Sequence, residues 1–179
     1  MFPAPVLETP RLILRGHAAE HLADSLALWG DPVVVRHLGG KPFIEEEVWM
    51  RLLRYAGGWA LLGYGFWRVE YRETGAFVGD VGFHELHRHS EPSFSGEPEV
   101  GWVLRPEFHG KGLAREALDA ALAWGDAHIV APRFACIINP ENTPSIRLAE
   151  ATGFVASGEI AYRGGPMRLL FRPPMVAAA

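Results

Sequence analysis

The stretch "EVGWVLRPEFHGKGLAREAL", Glu99 to Leu118, decides how the chain reads. "EVGWVL" has the length and composition of a strand, and Arg105-Pro106 breaks it. From Gly112 onward "GLAREALDAALAWGDAHI" is rich in Ala and Leu, with Leu113, Ala117, Ala121 and Trp124 recurring on one side as a helix requires. Between them Gly110 and Gly112 flank Lys111. Free amide hydrogens at a helix start, glycines that admit an anion to the backbone and a favourable dipole make such a turn a candidate phosphate cradle. Two familiar cradles fail. The triphosphate loop needs Ser or Thr after its lysine to hold magnesium, and Gly112 stands there. A dinucleotide fingerprint needs a third glycine where this chain has Arg115. Taken alone, the turn reads equally as an anion site or as a plain strand-to-helix connection.

Working outward, "RLILR" (11–15) alternates as a half-buried strand does. "HAAEHLADSLALWGD" (17–31) spaces Leu22, Leu26 and Trp29 for a helix that stops at Gly30 and Asp31-Pro32. "PFIEEEVWMRLLRYAGG" (42–58) predicts a second helix, with an acidic first turn, an apolar face of Val48, Leu52 and Tyr55, and a double glycine at its end. "GYGFWRVEYR", "ETG" and "AFVGDVGFHEL" form a hairpin, so those strands are antiparallel. After the loop "HRHSEPSFSGEP" and the opening stretch come the strand "RFACII", a short helix from about Thr143-Pro144 to Gly153, and two strands, about 154–162 and 167–171, joined by "RGGP". "MVAAA" (175–179) reads as a tail. The order β α α β β β α β α β β predicts an α/β (α+β) domain: a mixed, mostly antiparallel twisted sheet of about seven strands with helices on both faces and one parallel neighbour pair across the helix after Leu113.

Bulk properties bound the function. The chain has 179 residues, 49% apolar and 21% charged, which predicts one domain over 1–179 with a core from about residue 7 to 173. A net charge of -4 argues against nucleic acid as a partner. No apolar run approaches the roughly 18 residues of a membrane span, and "MFPAPVLETPRL" lacks the order of a signal peptide. A cytoplasmic location is therefore expected, and the lone Cys136 fits a reducing compartment.

"EVGWVLRPEFHGKGLAREAL" together with "NTPSIRLAEATGF" at Asn142 resembles the GNAT superfamily of acetyl-coenzyme A-dependent N-acyltransferases, and within it the branch of ribosomal-protein N-terminal acetyltransferases. The family's phosphate signature, (Gln/Arg)-x-x-Gly-x-(Gly/Ala), falls on His109, Gly110, Lys111, Gly112, Leu113 and Ala114. "LETPRLILR", the "EVGW" strand, and Asn142 to Ser145 followed by Gly153-Phe154 are further matches, so the resemblance covers most of the chain. It implies splayed central parallel strands, "EVGWVL" and "RFACIIN", that bind coenzyme A. The backbone of Trp102, Val103 and Leu104 would pair with the pantetheine arm, residues 109–114 would hold the pyrophosphate, and Asn142 and Ser145 would touch the cofactor. Acetyl-CoA is the implied co-substrate, with no metal. Two positions depart from the pattern: His109 replaces Gln or Arg, and Ala149 replaces a tyrosine that many members use to protonate the leaving thiolate.

The implied reaction is direct attack of a neutral amine on the thioester, with the oxyanion stabilised by a backbone amide of the Glu99 strand. Glu99 is the leading candidate for the proton acceptor, His84 or water being the alternatives, and Ser145 for the acid at the thiolate. Each also has a plain structural reading, as a strand-end carboxylate and as a helix cap. "HELHRH" does not have the spacing of a helical zinc pair, so His84, His87 and His89 read as strand-end or loop histidines. Cys136 reads as core packing. A non-catalytic acyl-CoA-binding sensor or interaction module stays open as the other function class. The acceptor is a primary amine, a peptide N-terminus or a small molecule. The acidic balance hints at a cationic one, and a monomer and a homodimer are both compatible.

Overall fold

The computed structural model describes residues 3–162 and 164–173; the "MVAAA" segment and Arg163 of "RGGP" lie outside them. Eight strands, β1 (Leu7–Glu8), β2 (Leu12–Arg15), β3 (Phe66–Tyr71), β4 (Phe77–His84), β5 (Glu99–Leu104), β6 (Phe134–Ile138), β7 (Val155–Tyr162) and β8 (Gly165–Arg172), form one sheet in the order β1-β2-β3-β4-β5-β6-β8-β7. The strand beyond the expected seven is β1, two residues paired through Leu7 to Leu14. Five α-helices, α1 (Leu22–Trp29), α2 (Pro32–Val35), α3 (Glu45–Leu62), α4 (Leu113–His128) and α5 (Thr143–Ala151), and two 3-10 turns, Ala19–His21 and Pro106–Phe108, complete the described residues.

Side-chain alternation on β3 shows the two layers. Trp67 and Val69 join the cluster under α4, with Leu113, Ala117, Leu118, Ala121 and Leu122. Phe66 joins Leu28, Trp29, Val35, Val48 and Tyr55 on the opposite face, under α1–α3. Burying each large side chain of the α4 stripe contributes about 2 kcal/mol, and this helix packs where its sequence pattern pointed. Gly79 and Gly82 on β4 are required by crowding: a Cβ on Gly79 would meet Val103 O at 2.1 Å, and one on Gly82 would meet Gly65 O at 2.3 Å.

Two helix boundaries differ from the expectation. α1 ends at Gly30, and Asp31 caps a further short helix, α2, its Oδ1 accepting the Val33 amide hydrogen at 2.7 Å. α3 starts at Glu45, where Glu47 accepts the Ile44 N–H at 2.9 Å, and it runs through Gly57-Gly58 to Leu62, ending at Gly63 with φ 75°. Tertiary packing overrides the glycine pair. Trp59, one turn past Tyr55, is buried against Trp67 and Trp124 and donates Nε1–H to Phe66 O at 3.1 Å, which holds the last turns helical.

The only parallel neighbours among the described residues are β5 and β6, and their register consists of one pair, Glu99 with Ala135. β6 is otherwise held by β8 over five positions, from Phe134–Arg172 to Ile138–Arg168. The two strands therefore meet at one end and part along the rest.

Candidate active site

The parted strands open into a cavity of about 490 Å³. Its walls come from β5 (Glu99 to Val103), β6 and the turn after it (Cys136 to Asn142), Ser145 of α5, the α1–α3 face (Trp29, Phe43, Arg51, Arg54, Tyr55), His84 of β4, and Tyr162, Pro166 and Met167 of the last hairpin. Backbone directions along β5 follow from two bonds. The Arg105 amide donates to Val78 O at 2.9 Å, on the β4 side, whereas the Ala135 amide donates to Pro98 O at 2.9 Å, across the gap. Alternation then turns the backbone groups of Glu99, Gly101 and Val103 toward β4, and those of Trp102 and Leu104 toward the gap. Trp102 and Leu104 thus turn their backbone groups to the gap, where the Leu104 carbonyl meets the His109 ring. Val103 lines the cavity, but its backbone is committed to Asp80 of β4.

The glycine turn lies just beyond the far end of β5. Gly110 and Gly112 adopt φ of 70° and 73°, the left-handed region open mainly to glycine, and α4 begins at once at Leu113. Gly110, Lys111 and Gly112 are exposed, Ala114 is half-buried, and Leu113 is buried in the core. His109 folds back, its ring Nε2 2.9 Å from Leu104 O, where it is placed to donate and to tie the turn to the strand end. A brace from a distant part of the sequence holds the turn. Arg11 donates through Nη1 to Lys111 O at 2.9 Å and through Nε to Glu116 at 2.7 Å, while Glu116 also accepts from Thr9 Oγ1 at 2.6 Å and from the Arg11 amide at 2.8 Å. Thr9 and Arg11 belong to the "LETPRL" segment. On the cavity wall, Asn142 caps α5, its Oδ1 accepting from the Ser145 amide at 3.3 Å. Ala149, one turn further, is fully buried and does not reach the cavity.

Glu99 and His84 face each other at the narrow end, Nε2 to Oε1 at 3.1 Å. The contact is close but off line, and neither ring nitrogen makes an aligned hydrogen bond. Arg88 grips the same carboxylate with both arms, Nε to Oε2 at 2.5 Å and Nη2 to Oε1 at 2.9 Å, and its guanidinium lies over Tyr162 at 4.3 Å. Burial alone would raise the Glu99 pKa; the close approach of His84 and the two bonds from Arg88 outweigh it and hold it down to about 2. His84 moves down from 6.5, chiefly through burial, against the pull of Glu99. At neutral pH the pair is a carboxylate beside a neutral imidazole. Cys136 is also buried, and burial pushes its thiol well up, so it is not a poised thiolate.

The structure therefore brings Glu99, Trp102, Val103, Asn142 and Ser145 to one cavity, with His84, and sets Leu104 and residues 109–114 just past its end. His87 is mostly exposed and His89 is exposed, so the three histidines of "HELHRH" do not converge. Sequence reasoning missed Arg88 and Arg51. Arg88 sits between two of those histidines and was passed over for them. Arg51 precedes Tyr55 by one helical turn, a spacing that puts both on one face.

Comparison with known proteins bears on the fold and the family. A Bordetella pertussis protein described as a putative GnaT-family acetyltransferase superposes with a TM-score of 0.83 at 31% identity, over 94% of this chain and 99% of that one. An uncharacterized N-acetyltransferase, p20, of Bacillus licheniformis is 28% identical over 153 residues, 85% of this chain and 83% of its own. A ribosomal L7/L12 α-N-protein acetyltransferase in complex with coenzyme A shares the fold at a TM-score of 0.76 and 15% identity, over 97% of this chain and 100% of that one. Residues 11–155 match the family model described as the acetyltransferase (GNAT) domain, and the chain belongs to that family of acyltransferases.

Proposed function

We propose that the protein moves the acetyl group of acetyl-CoA to a primary amine by direct attack, without a covalent enzyme intermediate. The single pairing between β5 and β6 carries this reading: a sheet that leaves the backbone of Trp102 and the amide of Leu104 turned to an open gap at its centre is shaped for an extended, hydrogen-bonding guest. The fit extends to both ends of such a guest. Gly110 to Ala114 offer amides and a helix start to a pyrophosphate, with Lys111 as a nearby cation, and Asn142 and Ser145 border the cavity halfway along. When bound, the co-substrate supplies an activated thioester. The Trp102 amide, past the bridge to Ala135 and turned to the gap, is placed to stabilise negative charge developing on the carbonyl oxygen. Ser145 Oγ is placed to return a proton to the departing sulfur.

His84 takes the proton from the amine in this reading, and Glu99 orients it. A carboxylate held near pKa 2 is a weak base, whereas a neutral imidazole 3.1 Å away is ready to accept. This reverses the ranking that sequence alone suggested.

The deciding experiment is thiol release from acetyl-CoA with a panel of amines. Turnover with any amine supports transfer; a thermal shift with acetyl-CoA and no turnover across the panel would leave a binding module of the same fold. With an accepted amine, Ser145→Ala should lower kcat by about tenfold and leave the KM for acetyl-CoA within about twofold. An unchanged kcat removes Ser145 from the chemistry. Gly112→Ala, which forces a Cβ into left-handed backbone, should raise the KM for acetyl-CoA by about tenfold, and the strain itself costs about 1 kcal/mol. A KM equal to wild type would place the pyrophosphate elsewhere.

A further inference from the structure

The charge along the cavity does not match the acidic average of the chain. Its lining carries Arg51 and Arg54 of α3 and Arg88 of the loop after β4, and Arg88 grips Glu99. Glu141 stands on the opposite wall, beside Asn142. Arg54 is near enough to help depress His84. Arg51 is the distinctive group. Its guanidinium lies flat on Trp29, 3.6 Å from the ring centroid, with Phe43 at 4.8 Å. One arm makes a long bond to Tyr55 Oη at 3.4 Å, while Nε is buried with no hydrogen-bond partner. Of the cavity arginines, Arg88 pairs with Glu99, whereas Arg51 forms no ion pair among the described residues.

Stacking on an indole fixes the plane of a guanidinium and leaves its edge as the only route to its donors. That edge matches the two oxygens of a carboxylate or phosphonate and repels an ammonium group. Resting on the acetyl-transfer reading above, we propose that the acceptor is an amine that also carries an acid group, and that Arg51 holds the acid group while the amine reaches His84. The same wall disfavours polyamines, whose second cation would meet the Arg51 guanidinium.

The test uses the full chain, acetyl-CoA and a homologous series of amino acids from glycine to aminohexanoate. Each acid is compared with its amide and with the diamine of matched length, and aminoalkylphosphonates separate a planar from a tetrahedral oxyanion. At the preferred length, kcat/KM for the acid should exceed that for the amide by about tenfold or more. Arg51→Gln should collapse that ratio through a KM rise on the acid-bearing acceptors, and Arg51→Lys should restore it only in part, because a point charge lacks the fork. Diamines or amides turned over as well as the acids, or a ratio that survives R51Q, would overturn the inference and leave acetyl transfer standing. Bound acetyl-CoA with no thiol release from any member would overturn both.

Discussion

His84→Gln should lower kcat by about a hundredfold or more and remove the acidic limb from the pH profile of kcat/KM. The imidazole is displaced below its ordinary 6.5, mainly by burial. Its neutral, proton-accepting form therefore predominates above 6.5, and the limb it contributes should lie below that value, apart from the limb set by protonation of the amine acceptor itself. A glutamine fills the same space without a basic nitrogen. Neither ring nitrogen makes an aligned hydrogen bond in the parent, so the variant should melt within a few degrees of it. That separates chemistry from folding. A kcat within twofold of wild type, with the limb intact, would send the proton to water or to another group.

Glu99→Gln should unfold most easily of the site variants. Arg88 and Glu99 have side chains only 12% and 8% exposed, and neutralising one partner leaves the other charge buried. Such losses run to about 3–5 kcal/mol, or a melting point lower by about 10 °C in a chain of this size. The pH dependence has a definite sign. The Glu99 pKa falls from 4.5 to about 2 on folding, so its stabilisation is fully present above 4.5 and disappears as the pH falls from 4.5 toward 2. Urea melts at successive pH values through that window should show a steeper loss for the parent than for E99Q. Parallel curves would mean the pair contributes nothing. The double variant Glu99→Leu with Arg88→Met, which removes both charges, should recover much of the lost stability.

Legibility differed between scaffold and site. The α4 stripe and the β3–β4 hairpin were readable because one local pattern, a helical repeat or a tight turn, specified each. Extension of α3 through Gly57-Gly58 was not, since it depends on where Trp59 packs against strands distant in sequence. The tight turn at Gly110 and Gly112 could be read from its glycines, and both have the left-handed backbone such a turn needs. Ranking the proton acceptors was beyond the sequence. Glu99 and His84 differ in basicity through Arg88, which reaches Glu99 across a loop whose course no periodicity encodes. Val103 illustrates a subtler limit. A strand can be placed from its residues, but which of its backbone groups face the gap follows from a register set by β4.

The Thr9–Arg11–Glu116 brace makes the glycine turn a shared possession of two distant stretches of chain. A carbonyl of Lys111 drawn toward Arg11 is turned away from the side on which an anion must find amide hydrogens, so the edge of the sheet helps set the polarity of the turn. Thermodynamic reciprocity then applies: whatever the edge contributes to holding an anion, a held anion returns to the edge. On the proposed function, the turn between β1 and β2 becomes a remote part of the binding site, and its anchorage to α4 is one of the quantities that cofactor affinity would measure.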